Sequence, residues 1–223
     1  MIWRLPVNQQ SSSESFLVLS YLELRKAVGI IGFALPFVLI FGKMLLQGPG
    51  IQSSISGYYY TDMRNVFVGS LCAIGVFLMS TRGYDRNDEI AGILACAFAV
   101  GVALFPTTPD VGATSQDQLI GKVHLSFAAL LFLTFAYFSI VLFTKTAPDK
   151  IPTPRKLQRN MVYRTCGYTI LASILLIVVV ALPPIKSLVE RLTPVFWLES
   201  LAVLAFGVSW LVKGETILKD QET

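Results

Sequence analysis

The chain has 223 residues, of which 54% are hydrophobic and only 14% charged, and its mean hydropathy is +0.64. Soluble domains carry about 25% charged residues, so the composition excludes a soluble enzyme, a nucleic-acid-binding domain and a disordered chain. It predicts an all-α, polytopic membrane protein, in which a net charge of +4 reflects basic residues gathered in cytoplasmic loops rather than a polyanion partner.

Residues 1–20 read as a polar cytoplasmic tail, with Asn8-Gln9-Gln10-Ser11-Ser12-Ser13 and no apolar core before a small-residue cleavage site. The transmembrane domain is expected over 21–213 and a second cytoplasmic tail over 214–223. About 20 apolar residues cross a bilayer, and six stretches qualify: 21–46, 64–81, 89–105, 123–144, 163–182 and 195–212. Ser20-Tyr21-Leu22-Glu23 has the form of a capping box for the first, and Pro36 stands inside it, where a kink is expected. Pro106, Pro183 and Pro184 follow the third and fifth spans, and Pro194 opens the sixth. Small residues four apart, Ala91, Ala95 and Ala99 along the third span, Ala97 with Gly101, and Gly69 with Ala73, permit close helix contact. Cys72, Cys96 and Cys166 fall in three different spans at no metal-ligand spacing and are expected to be free thiols.

Six spans put both termini on one side. That side carries 13 of the 18 basic residues, leaving Lys43, Arg64, Lys122, Lys186 and Arg191 on the other. Both termini are therefore expected in the cytoplasm, at the plasma or inner membrane. The densest basic loop, Lys145 to Arg164, suits anionic headgroups, although topology alone accounts for it. The cytoplasmic charges are read as sitting in solvated loops, without an inward polar cluster.

The outer loops are richer in polar groups. Ser53 to Asn65 contains Tyr58-Tyr59-Tyr60-Thr61-Asp62-Met63-Arg64-Asn65, and Pro106 to Asp110 leads on towards His124. Glu199 lies five residues past Pro194, about 7–8 Å into the last helix. A carboxylate there is costly unless it faces the interior or a wet cavity. Arg64 and His124 are expected to open the second and fourth spans near the same level. Tyr59, Asp62, Arg64, Asn65, His124 and Glu199 are thus the candidate ligand-binding residues, for a lipid or small anion that guanidinium would grip. The structural alternative is an ion pair that fixes helix packing, with the tyrosines as interface anchors.

Leu24-Arg25-Lys26-Ala27-Val28-Gly29, Ser54 to Thr61 with Asn65-Val66-Phe67-Val68-Gly69, and Val102 to Thr107 resemble a family of uncharacterised bacterial multi-pass membrane proteins, over nearly the whole chain. That resemblance implies no activity. A shorter likeness is to the alkaline ceramidase and adiponectin-receptor superfamily of intramembrane hydrolases. Tyr60 to Asn65 is similar to its Asn- and Ser-rich motif, with Asn65 at the last Asn. Pro106 stands where that superfamily has a histidine, and the last span carries Glu199 in place of its two zinc histidines. With His124 the sole histidine, this likeness implies the fold with the metal lost, so no cofactor is expected. Three readings stay open: a non-enzymatic membrane protein with a bound lipid, an intramembrane hydrolase using Asp62, His124 and Glu199 as acid–base groups, and a small transporter or assembly subunit.

Overall fold

In a computed structural model, residues 7–80, 85–146 and 151–219 are described. Among them the chain is helical and without strands: α1 (Val7–Gln47), α2 (Arg64–Ser80), α3 (Arg86–Leu104), α4 (Ser115–Tyr137, continued by a π-helical turn, Phe138–Leu142), α5 (Pro154–Val180), α6 (Pro183–Val189) and α7 (Pro194–Lys213). Five helices, α1, α3, α4, α5 and α7, contain stretches long and apolar enough to cross a membrane; α2 is apolar but has 17 residues. The protein is thus an all-helical, multi-pass membrane type.

Several boundaries differ from the sequence reading, each for a local reason. α1 continues back to Val7, so Ser20 lies inside the helix and cannot cap it. α4 begins at Ser115 because Thr114 and Asp117 form a reciprocal capping box there. α5 begins at Pro154, after Thr153, whose hydroxyl accepts from the Lys156 amide. Proline at the first turn loses no helical hydrogen bond. α3 opens as expected on acidic residues, with Asp85 as N-cap and Asp88 closing the box.

Each of α1 to α5 contacts the next, α7 packs on α5, and α7 closes back on α1. Two of these seams depend on missing side chains. A Cβ on Gly207 would lie 2.6 Å from the Phe33 amide nitrogen, and one on Gly29 would lie 2.8 Å from that of Leu211. α1 and α7 therefore touch backbone to backbone. A Cβ on Gly92 would lie 2.6 Å from the Leu78 carbonyl oxygen, so α2 and α3 do the same. The Ala91–Ala95–Ala99 stripe is buried, whereas Gly69 faces open space.

The interior between α4, α5 and α7 is an aromatic stack. Phe135 and Phe206 lie with ring centroids 3.8 Å apart, and Trp210 meets Phe206, Phe138 and Phe143. Where α4 widens to the π turn, Ser139 donates to Ser209 at 3.1 Å, and Ser209 donates to the Phe206 carbonyl at 2.8 Å. The hydroxyl pair is buried and mutually satisfied, as an apolar interior requires.

Candidate functional site

The loop between α1 and α2 folds into a short 3-10 turn, Ser56–Tyr60, that caps one end of the helices. Two bonds from α7 fix it. The Phe196 amide donates to the Ser53 carbonyl at 3.0 Å, and the Ile55 amide donates to Oε2 of Glu199 at 2.6 Å. The Ser56 amide also bonds this carboxylate. Glu199 therefore clamps the cap. Tyr58, fully buried, lies against Phe196 with ring centroids 6.1 Å apart.

Glu199 also borders a cavity of about 40 Å³ beneath the cap, with Leu35, Ser56, Phe67, Val102, Phe135 and Val203 among its walls. Its exposed walls are apolar, and at that size it has no room for a headgroup or other ligand.

The six sequence-predicted residues do not share one pocket. Arg64 is exposed; its guanidinium donates to the Tyr59 hydroxyl and lies 4.1 Å from the Tyr59 ring centroid. Asp62 and Asn65 are exposed beside it. His124 does not open a span: it stands nine residues into α4, buried at 4% exposure. Its Nδ1 lies 2.6 Å from the Phe105 carbonyl oxygen. A carbonyl can only accept, so Nδ1 carries the proton. The alternative of an ion pair between Arg64 and Glu199 is not formed: Arg64 bonds the Tyr59 hydroxyl and Glu199 the Ile55 amide. Among the described residues no three His, Cys, Asp or Glu side chains come together as metal ligands. Cys72, Cys96 and Cys166 are free thiols.

The sequence reading missed a polar recess of about 370 Å³ at the same end, between the cap and the loop after α3. Ser53, Ser54, Tyr60, Thr107, Thr108 and Asp110 line it. Two bonds tie its walls: Ser53 donates to Asp110 at 3.1 Å and the Tyr60 hydroxyl donates to the Thr107 carbonyl at 2.6 Å. Burial, then the Asp117 charge, raises the Tyr60 hydroxyl above its usual pKa of 10.0, so it stays a donor at neutral pH. Tyr60 meets Tyr59 edge to face at 5.3 Å, and the Arg64 guanidinium acts on Tyr60 through its charge without lining the recess. The recess is of ligand size, and it joins hydroxyls, carbonyls and a carboxylate in one place. The signal in the sequence was the polar character of both loops; their pairing was not readable from it.

Compared with protein-family models, curated proteins and solved structures, the chain matches none of them.

Proposed function

We propose that the protein is a six-span integral membrane protein of the plasma or inner membrane, with α2 as its shortest span and both termini cytoplasmic, and that its outer end binds a lipid headgroup. The basic-residue asymmetry supports the orientation. The resemblance to uncharacterised bacterial multi-pass proteins belongs to this same reading.

The observation that carries the binding proposal is the recess of about 370 Å³ at the cap end. Its wall carboxylate, Asp110, suits an amine, and Arg64, whose charge reaches Tyr60 in the wall, suits a phosphate. A headgroup carrying both, such as phosphoethanolamine, matches that arrangement better than a simple anion. Hydrolysis by Asp62, His124 and Glu199 has less support, because Asp62 is exposed, His124 is tied to Phe105 and Glu199 to the cap amides. Transport has less support because stacked aromatic rings fill the interior between α4 and α7.

Native mass spectrometry of detergent-purified protein tests the binding. Phosphatidylethanolamine should be retained by the wild type and depleted in Asp110→Asn and in Arg64→Ala. The same lipid profile in all three would refute the headgroup site.

A further inference from the structure

The segment from Phe105 to Thr114, which forms one wall of the recess at the cap end, has no helix or strand of its own. α4 holds it from one face. His124 Nδ1 donates to the Phe105 carbonyl at 2.6 Å. Phe127, three residues on, stacks its ring on that of Phe105, with centroids 5.6 Å apart. Three residues before His124 stands Gly121, and a Cβ there would lie 2.8 Å from the Thr108 amide nitrogen. Thr108 can therefore sit against α4 only because Gly121 has no side chain. Helix residues three apart share a face, so Gly121, His124 and Phe127 form one seat for the wall. None of the three lines the recess; Thr107, Thr108 and Asp110 do.

The facing wall is tied across by the Ser53–Asp110 and Tyr60–Thr107 bonds. With one wall seated on α4 and both ties made, the spacing of the oxygens in the recess is fixed. A carboxylate has about four lone-pair sites and a carbonyl two. One Ser53 hydroxyl and one Tyr60 hydroxyl thus leave Asp110 and the Thr107 carbonyl with capacity to accept more. Tyr60 is the one aromatic residue among the described lining residues, and its ring meets the Tyr59 ring. A quaternary ammonium is held by a cage of aromatic faces, whereas a primary ammonium is held by oxygens around its three N–H groups. At about 370 Å³ the recess is large enough for either, so hydrogen bonding and not size separates them.

Resting on the headgroup reading of this recess, we propose that it selects a primary ammonium over its N-methylated forms, with Gly121 and His124 as positioning residues for that selection. Each N-methyl group replaces one N–H donor, and a trimethylated headgroup has none left to offer Asp110 and Thr107. The acceptors discriminate only while they stay within about 0.5 Å of the geometry that serves three N–H groups. Gly121 and His124 act on the ligand through the wall they seat, without touching it.

The test is native mass spectrometry of the full chain in dodecyl maltoside, titrated with phosphatidylethanolamine, its N,N-dimethyl form, phosphatidylcholine or free phosphoethanolamine. The wild type should bind phosphatidylethanolamine at least about tenfold more tightly than phosphatidylcholine, as loss of one charge-assisted hydrogen bond implies, with the dimethyl lipid between them. His124→Leu removes the donor to Phe105 and should collapse that ratio. His124→Asn, whose amide nitrogen takes the place of Nδ1, should restore it. Gly121→Ala should lower the ratio as well, while Gly69→Ala, which faces open space on α2, should leave it unchanged. A ratio read on lipid-bearing folded protein does not move with stability alone. Free phosphoethanolamine binding as tightly as the lipid would support the selection with a soluble source. Equal binding of phosphatidylethanolamine and phosphatidylcholine, with Asp110→Asn still weakening the former, would overturn the selection and leave the headgroup reading standing. No effect of Asp110→Asn would overturn both. An unchanged ratio in His124→Leu and Gly121→Ala would overturn the positioning roles.

Discussion

Glu199 is the residue on which the cap depends. Its carboxylate accepts from the Ile55 amide at 2.6 Å, one helix turn below the Phe196–Ser53 bond. Glu199→Leu removes the acceptor and strands the Ile55 and Ser56 amides, which have little water nearby, at a cost of about 1–3 kcal/mol each. Glu199→Gln keeps an oxygen at that place and should cost less than half as much. Thermal unfolding in detergent will separate the two variants, and equal melting temperatures for wild type and Glu199→Leu would show that the clamp is idle. At the other end, hydrogen bonding to Lys145 lowers the Asp85 pKa below its usual 3.8. Lys145 itself is pulled down by burial, but its bonds to Asp88 and Asp85 outweigh this and leave it above 10.5. A carboxylate with a depressed pKa stabilises above its unfolded value and loses that as pH falls through the folded one. A raised lysine stabilises below its unfolded value and loses that as pH rises through the folded one. The bridge should therefore hold stability across the range between those two values and lose it on both flanks. Lys145→Met should flatten both flanks of a melting-temperature profile against pH; an unchanged acid flank would contradict the assignment.

The helices are held together by what their glycines lack. Gly207→Ala would press a methyl against the Phe33 backbone, at 2.6 Å from its nitrogen, and should destabilise by about 1–3 kcal/mol as overpacking does. Gly69→Ala meets nothing within 4 Å and should be neutral, or stabilising by up to about 1 kcal/mol through helix propensity. Reversible denaturation in mixed micelles will rank them, and a Gly69→Ala variant weaker than Gly207→Ala would contradict the packing. The sequence made part of this legible. The Ala91–Ala95–Ala99 stripe could be read from its four-residue spacing, because one helix face recurs at that interval. Gly29 and Gly207 could not, since each matters only through a partner about 180 positions away. The start of α5 was legible in principle: Thr153-Pro154 is a cap followed by a first-turn proline, and a hydropathy window passes over it because Arg155, Lys156 and Arg159 are charged.

At the scale of the whole molecule, the α1–α2 loop and the α3–α4 loop meet over one end, and Lys156 of α5 and Lys213 of α7 both stand at Phe143 at the other. The membrane class and the polar character of each loop were readable from composition. Which loop residues face one another was not, because the Ser53–Asp110 and Tyr60–Thr107 bonds join segments far apart in the chain. That is why Arg64, His124 and Glu199 each turned out to have a private partner. Six spans require that α2 cross the membrane. At 17 residues it spans about 26 Å at 1.5 Å per residue, a little short of a hydrocarbon core of about 30 Å. The direct measurement is accessibility labelling in oriented vesicles, with Cys72, Cys96 and Cys166 replaced by alanine and single cysteines placed at Ser54 and at Lys219. Six spans predict that Ser54→Cys is labelled only from outside and Lys219→Cys only from the cytoplasm. Labelling of both from the same side would contradict the six-span topology.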